Sequence, residues 1–447
     1  MDGIGPPVEV GTLVARDGGG SDVSLPGGIM VRAKSSIEEH AMGEFPTRDS
    51  SIPAPPASGF FVRRDAPRPL TVDTVDTLAG LRLLREDYEA LGAHCAVKHP
   101  FSRHEWHVAW WRHFAKNSAA VRDELAVKVF RREGRVVGIV PWVRTVSPAL
   151  GPVRMSSLRL LGADPGITEL KTVLLAPGEE AAVGAAVGRV LATDDAWDFV
   201  QWSGLDPASP FFHNLSRSIP IEYRPREPDY VLDLPATWEA FRAGLKRNIK
   251  ESLRHGYNSL ARDGHAFTFE VVSDARGLER ALEDFHRLHA ARAGLDDTVV
   301  HADRFATAES RRFLADVMNR FAERGMARAY AMRIGGKVVA MRLGFVLGDT
   351  VYLYYSGFDP AWRKYGVMTT TLAEIFRHAI ATGARTVNLS PGTDVSKTRW
   401  SPRAVTFDEG IQIRPALKSR VAYEGYVKAR EAKEKGTFSR ALRVVRS

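Results

Sequence analysis

The run Arg363-Lys364-Tyr365-Gly366-Val367-Met368 stands between a segment that alternates like a β-strand and one spaced like a helix. A glycine at a helix start lets the backbone approach a ligand closely, and the first N–H groups of the helix lack intrahelical partners. Such groups attract an anion, and Arg363 and Lys364 add positive charge at the same place. The natural occupant is a pyrophosphate; a plain turn is the other reading.

The elements that must position this run follow from DTVYLYYSGFDPAWRKYGVMTTTLAEIFRHAIATG. Val351, Leu353 and Tyr355 alternate with Tyr352 and Tyr354, as a strand requires. Phe358-Asp359-Pro360 turns the chain, and Val367, Leu372, Ile375, Phe376, Ala379 and Ile380 keep helical spacing. A second strand, TVNLS, follows. Asp394 lies just past it, where α/β sheets display functional groups. It reads as a general base for an attacking amine or hydroxyl, or as a loop cap. Lys397 reads as a partner for phosphate or as a surface lysine, and Trp400 as a sugar platform or a packing anchor. Strand alternation puts Tyr354 and Tyr355 on opposite faces, one toward the core and one toward an acceptor pocket. Tyr355 is the phenol assigned to protonate a leaving group, against packing roles for both.

Elsewhere the helix pattern over Thr237–Arg262 brings Lys246, Arg247, Lys250 and Arg254 together. Lys246 and Arg254 are assigned to an anionic ligand, against a solvated face. His286 and His289 are three apart on a predicted helix, but no further ligand follows at a suitable distance, so no metal site is expected. His289 is assigned to the acceptor cleft, with the helix surface as its other position. Cys95 is the single cysteine, which rules out an intramolecular disulfide and fits a reducing compartment.

An internal repeat organises the rest. GLRLLREDYEAL (Gly80–Leu91) aligns with GLERALEDFHRL (Gly277–Leu288), both helical in pattern. AVKVFRREGRVVGIVP (Ala126–Pro141) aligns with RAYAMRIGGKVVAMRL (Arg328–Leu343) as a hairpin, and WDFVQWSGLD with RTVNLSPGTD as a strand and loop. Each copy runs helix, helix, hairpin, strand, helix, strand, which predicts an α/β (α+β) fold with a mixed sheet flanked by helices. The expected divisions are a Gly/Pro/Ser-rich disordered segment over 1–66, a first domain over 67–225, a second over 226–415 and a basic, partly helical tail over 416–447. No apolar run approaches a spanning helix and no secretory signal is evident, so a soluble, cytoplasmic protein is expected. The formal net charge of +9 favours anionic partners without choosing among them. A peripheral membrane contact through the tail is one option; no helix-turn-helix or zinc pattern speaks for sequence-specific nucleic-acid binding.

The strand–loop–helix around Arg363 resembles the acyl-CoA site of the GNAT (Gcn5-related N-acetyltransferase) superfamily, in which Arg/Gln-x-x-Gly-x-Gly/Ala opens the helix under the CoA pyrophosphate. Arg363 and Gly366 match, and Met368 stands where a small residue is usual. Residues 70–415 resemble the CelD-type acetyltransferases of bacterial cellulose and exopolysaccharide synthesis, through EWHVAWWRHF, REGRVVGIVPW, LLGADPGITE, GFDPAW and SPGTDVSKTRW. These are similar to the tandem-GNAT FemAB group. Gly392, Lys397 and Trp400 match its Gly-x-x-x-Tyr-Lys-x-x-Trp/Phe pattern, with Ser396 in place of the tyrosine. The resemblance implies two tandem GNAT-like domains and acetyl-CoA or another acyl-CoA as co-substrate. It also implies direct acyl transfer to an amine or hydroxyl of a sugar, polysaccharide precursor or other small acceptor, with an acceptor pocket between the copies. The first copy, lacking Arg-x-x-Gly at a helix start, is expected to have no CoA site. An aminoacyl-tRNA-dependent transferase of FemAB type and a catalytically inactive scaffold in a polysaccharide-synthesis complex are the alternatives.

Overall fold

The computed structural model describes residues 68–95, 98–149, 154–163, 166–295 and 301–444. The disordered segment expected over 1–66 lies outside the described residues. The first half comprises β1 (Thr71–Val75), α1 (Leu78–Leu83), α2 (Arg85–Gly92), α3 (His104–Phe114), β2 (Arg122–Leu125), β3 (Val127–Arg132), β4 (Arg135–Val140), β5 (Trp142–Pro148), β6 (Arg154–Leu160), β7 (Leu174–Leu175), α4 (Glu180–Thr193), β8 (Phe199–Leu205), α5 (Pro210–Leu215) and β9 (Glu222–Pro225). The second comprises β10 (Asp229–Asp233), α6 (Trp238–Gly244), α7 (Arg247–Arg262), β11 (Phe267–Val272), α8 (Ala275–Ala293), α9 (Ala308–Ala322), β12 (Ala327–Ile334), β13 (Lys337–Leu347), β14 (Thr350–Phe358), α10 (Val367–Ala381), β15 (Thr386–Pro391), α11 (Val395–Thr398), β16 (Arg403–Val405), β17 (Asp408–Ile413) and α12 (Leu417–Val444).

The aligned segments take like structures. Glu133 and Gly134 join β3 to β4 at φ 51° and 81°, and Gly335 and Gly336 join β12 to β13 at φ 56° and 77°. Positive φ at both turn residues gives the tight hairpin whose twist matches that of the flanking strands. Each half also holds one parallel pair: β6 beside β8 from Ser157↔Phe199, and β14 beside β15 from Thr350↔Thr386. One helix match is incomplete. Gly80–Leu91 is interrupted at Leu84, whose ψ of 6° leaves the helical range, whereas Gly277–Leu288 runs unbroken inside α8.

The second half builds one sheet, β11-β12-β13-β14-β15-β10-β16. The first half departs from the single mixed sheet expected, with β1-β3-β4-β7 and β2-β5-β6-β8-β17-β9. The break falls where the hairpin passes Ala126 and Pro141, because proline brings no N–H to the ladder. One strand of the second half also crosses into the first. β17 lies between β8 and β9 in a first-half sheet, while β16 stays with β10 in the second-half sheet. The chain is therefore a mixed α/β fold in which helices flank several sheets.

A shared core fixes the halves together. Trp106 of α3 is fully buried and meets Phe313 of α9 at 5.2 Å and Tyr354 of β14 at 5.8 Å, edge to face. Large aromatic payloads of this kind dominate core energetics. The Trp106 indole N–H also donates to Thr168 Oγ1 at 3.1 Å, which ties a first-half loop to the same core. The basic tail begins on the body of the protein: Tyr423 packs on Phe199 at 5.1 Å, and the Ser419 hydroxyl donates to Asp198.

Candidate active site

Strands β14 and β15 pair in parallel at Thr350↔Thr386, Val351↔Val387 and Tyr352↔Asn388, and the ladder then ends. β14 continues with β13 as far as Phe358, and β15 continues with β10 as far as Pro391. A wedge therefore opens at the carboxyl ends of two parallel strands, where α/β folds place ligands. A cavity of about 480 Å³ occupies it, bounded by β14, the end of β15, the first turn of α10, α8, the α11 segment and Glu169 from the first half.

The start of α10 has the form the sequence predicts. Gly366 sits at φ 62° and ψ 32°, a left-handed conformation natural to glycine, and no side chain caps the helix. The helix thus offers its first N–H groups to a ligand. Arg363 and Lys364 are exposed, with the Lys364 ammonium 4.8 Å from the centre of the Tyr365 ring. The side chains of Tyr365 and Val367 are buried, and the Tyr365 hydroxyl donates to Asp263 at 2.9 Å. Those two residues can meet a ligand only through backbone. Met368 lines the cavity.

Tyr354 and Tyr355 depart from simple alternation. Arg342 stands opposite Ser356 and Gly344 opposite Leu353, so both tyrosines face the single residue Leu343. This β-bulge brings both side chains to the cavity. Their hydroxyls donate to first-half carbonyls, Tyr354 to Ile167 at 2.5 Å and Tyr355 to Gly166. The Tyr355 proton is thereby engaged by backbone, so the geometry makes Tyr355 a clamp on the 166–170 loop rather than a proton donor to a thiolate.

Asp394 receives the Ser396 N–H at 2.6 Å as the cap of α11. Burial works to raise its carboxyl, but the bonds from Ser396 and the charge of Lys397 prevail and hold it below the ordinary range. An ionised, capped carboxylate is a weak base. Lys397 is no surface lysine: its ammonium donates to Ser390 Oγ at 3.1 Å and to the Pro391 carbonyl, bolting α11 to the end of β15. Burial and the nearby Arg342 lower its pKa against the pull of Glu169 and Asp394. Trp400 is buried edge-on to Phe376 at 5.0 Å while also reaching the cavity wall.

His289 is buried in the cavity wall rather than on the helix surface. Its Nδ1 lies 2.9 Å from the Ser356 carbonyl, which requires the proton there and leaves Nε2 as a lone pair. Nε2 has no hydrogen-bond partner among the described residues, and burial holds the ring toward its neutral form. Lys246, which precedes α7, and Arg254 within it are instead exposed to solvent and do not line the cavity. Among the described residues, no cluster of three or more His, Cys, Asp or Glu could hold a metal ion, and no helix is long and apolar enough to cross a membrane.

Glu169 and Arg342 are among the cavity residues not singled out from sequence. Glu169 accepts from the Tyr352 hydroxyl at 2.5 Å, and burial drives its carboxyl up to about 7 in spite of that bond and the charge of Lys397. Its signal was present in LLGADPGITE, whose last residue it is. Arg342 is buried in β13, and its signal was a lone arginine inside the apolar run VVAMRLGF.

Residues 247–398 match the family model described as an acetyltransferase (GNAT) domain. That segment runs from α7 to α11 and contains the wedge. No curated protein matches the chain in sequence. Among solved structures, FemX is similar at 9% identity and a TM-score of 0.50, over 72% of this chain and 95% of that one. A conserved protein of unknown function from Bacteroides thetaiotaomicron VPI-5482 aligns at 13% identity and a TM-score of 0.46, over 77% of this chain and 100% of that one. A tandem GNAT protein from the clavulanic acid biosynthesis pathway aligns at 13% and 0.38, over 78% and 99%. The likeness to FemX is one of fold, and the fold is of GNAT type.

Proposed function

We propose that this chain is an acyltransferase that moves an acyl group from acyl-CoA, acetyl-CoA first among them, to an amine or hydroxyl of a small acceptor. The observation that carries the reading is the cavity in the wedge between β14 and β15, beside the uncapped start of α10. In this reading the pyrophosphate rests on the N–H groups after Gly366, with Arg363 and Lys364 beside it. The thioester enters the wedge, where the β14 edge released beyond Tyr352 presents backbone N–H groups to the reacting carbonyl. The acceptor enters from the side closed by the 166–170 loop. Glu169 takes its proton as the nitrogen or oxygen attacks, the carbon–sulfur bond breaks, and that proton passes on to the departing thiolate, so CoA leaves as the thiol and Glu169 is ionised again.

The first half supplies the acceptor wall and no donor site. Its helix α4 starts at Glu179 and Glu180, and Glu179 is engaged by Arg132 through two 2.8 Å bonds. Carboxylates at a helix start satisfy the positive end of the dipole and repel a phosphate. A sugar or polysaccharide precursor is the acceptor class suggested by the sequence resemblance, and an acyl-CoA donor suits a cytoplasmic setting.

Binding of fluorescent acetyl-CoA to the full chain, followed by thiol release with a panel of amino sugars and sugar nucleotides, tests this. Saturable binding is expected, and its absence removes the donor reading. Arg363→Ala is expected to weaken acetyl-CoA about tenfold, the scale of one charge-assisted phosphate contact, and to leave the unfolding midpoint unchanged.

A further inference from the structure

The guanidinium of Arg342 is built into the cavity wall, near the carboxylates of Glu169 and Asp394 but in direct contact with neither. Its residue is 8% exposed, and its side chain makes no hydrogen bond or ion pair among the described residues. Its Nε is buried and unpartnered. Isolated buried charge is strongly disfavoured, so an arginine in this position points to a partner that arrives with the ligand. A second guanidinium converges on the same spot. Arg342 stands opposite Ser356 in the ladder, and Arg292 donates to Ser356 Oγ at 2.7 Å. Lys397 completes the cationic side of the cavity.

We infer that Arg342 is an anion-binding residue for the acceptor, and that the acceptor carries a carboxylate close to the amine or hydroxyl that is acylated. This rests on the acyl-transfer reading above and narrows its acceptor class. The planar guanidinium fork matches a carboxylate in two parallel bonds. Charge selects a monoanion over a phosphate dianion: four cationic side chains and three carboxylates line the cavity, an excess of one positive charge when Glu169 is ionised to act as the base. A dianion would overcompensate that excess and crowd the carboxylates of Glu169 and Asp394. The donor phosphates are provided for elsewhere, at the start of α10.

Thermal unfolding of the full chain, titrated with sodium propionate or sodium phosphate at matched ionic strength, tests the assignment. Propionate is expected to raise the midpoint saturably by about 2 °C, and the part of the phosphate response that depends on Arg342 is expected to be less than half of that rise. In Arg342→Met the propionate response vanishes, and the ligand-free midpoint stays level or rises because an uncompensated buried charge has been removed. Arg342→Lys keeps the charge without the fork and is expected to lose at least half of the response, which preserves the test if the methionine variant fails to fold. A propionate response retained in Arg342→Met, a phosphate response of equal size that Arg342→Met abolishes, or no response to propionate overturns the inference. Acetyl-CoA binding on the same samples keeps the two readings apart: its loss removes the donor reading, and its persistence without a propionate response removes only the carboxylate.

Discussion

Glu169→Gln is expected to lower kcat by about 10²–10⁴-fold with little change in the KM for acetyl-CoA, the range over which a positioned general base contributes. Glutamine keeps the shape and still accepts from Tyr352, so the loss isolates the proton. The pH profile makes the claim specific. Burial raises the Glu169 carboxyl from an ordinary 4.5 to about 7, so in the wild type kcat climbs as pH rises through about 7 and the base loses its proton. The glutamine variant should lack that limb. If the limb survives in Glu169→Gln, another group is the base, and His289, whose Nε2 makes no hydrogen bond and lies 3.8 Å from Asp303, is the group to test next.

The same shift has a consequence for stability with a defined sign. Between about 4.5 and about 7 the native protein binds this proton and the unfolded chain does not. The associated stabilisation is complete below pH 4.5 and is lost as pH rises through about 7, on the order of a few kcal/mol. Glu169→Gln removes the decline. Its unfolding midpoint should therefore gain on the wild type between pH 5 and pH 8, measured in parallel buffers.

What the sequence made legible is local in origin. Gly366 before an apolar helix, and alternation ahead of it, are short-range signals, and the strand, turn and helix appear where those signals put them. The paired hairpins were readable for the same reason, since two-residue turns with positive φ mark themselves in composition. The site itself depends on long-range contacts. Glu169 reaches the cavity because Tyr352, Tyr354 and Tyr355 each bond to a loop more than 180 residues earlier, and no period along the chain records that. Alternation put Tyr354 and Tyr355 on opposite faces because it assumes an unbroken ladder, and the bulge opposite Leu343 breaks it, so both reach the cavity. Lys246 and Arg254 illustrate the opposite error, in which clustered charge on a helix only marks the face turned to water. The sheet break in the first half was marked by Pro141, but its effect depends on Pro141 lying within a paired strand.

Gly357→Ala is expected to destabilise the fold by about 3 kcal/mol or more, the upper range of overpacking, and to take activity with it. The reason is space rather than backbone conformation. A Cβ at Gly357 would collide with the backbone of Leu288 and His289 in α8, and backbone cannot swing aside as a side chain can. Helix α8 would have to lift from β14. The neighbouring residue Ser356 receives His289 Nδ1 on its carbonyl and Arg292 on its hydroxyl, so the lift would break both bonds and widen the cavity. Gly244→Ala is the matched control, because a Cβ there meets nothing within 4 Å at an ordinary φ. That variant should be neutral or slightly stabilised through the unfolded chain. Chemical denaturation of both, with acetyl-CoA binding measured on each, decides the matter. Equal losses in the two variants would mean that glycine content alone is responsible; a loss confined to Gly357→Ala ties the wall of the cavity to the close approach of α8 and β14.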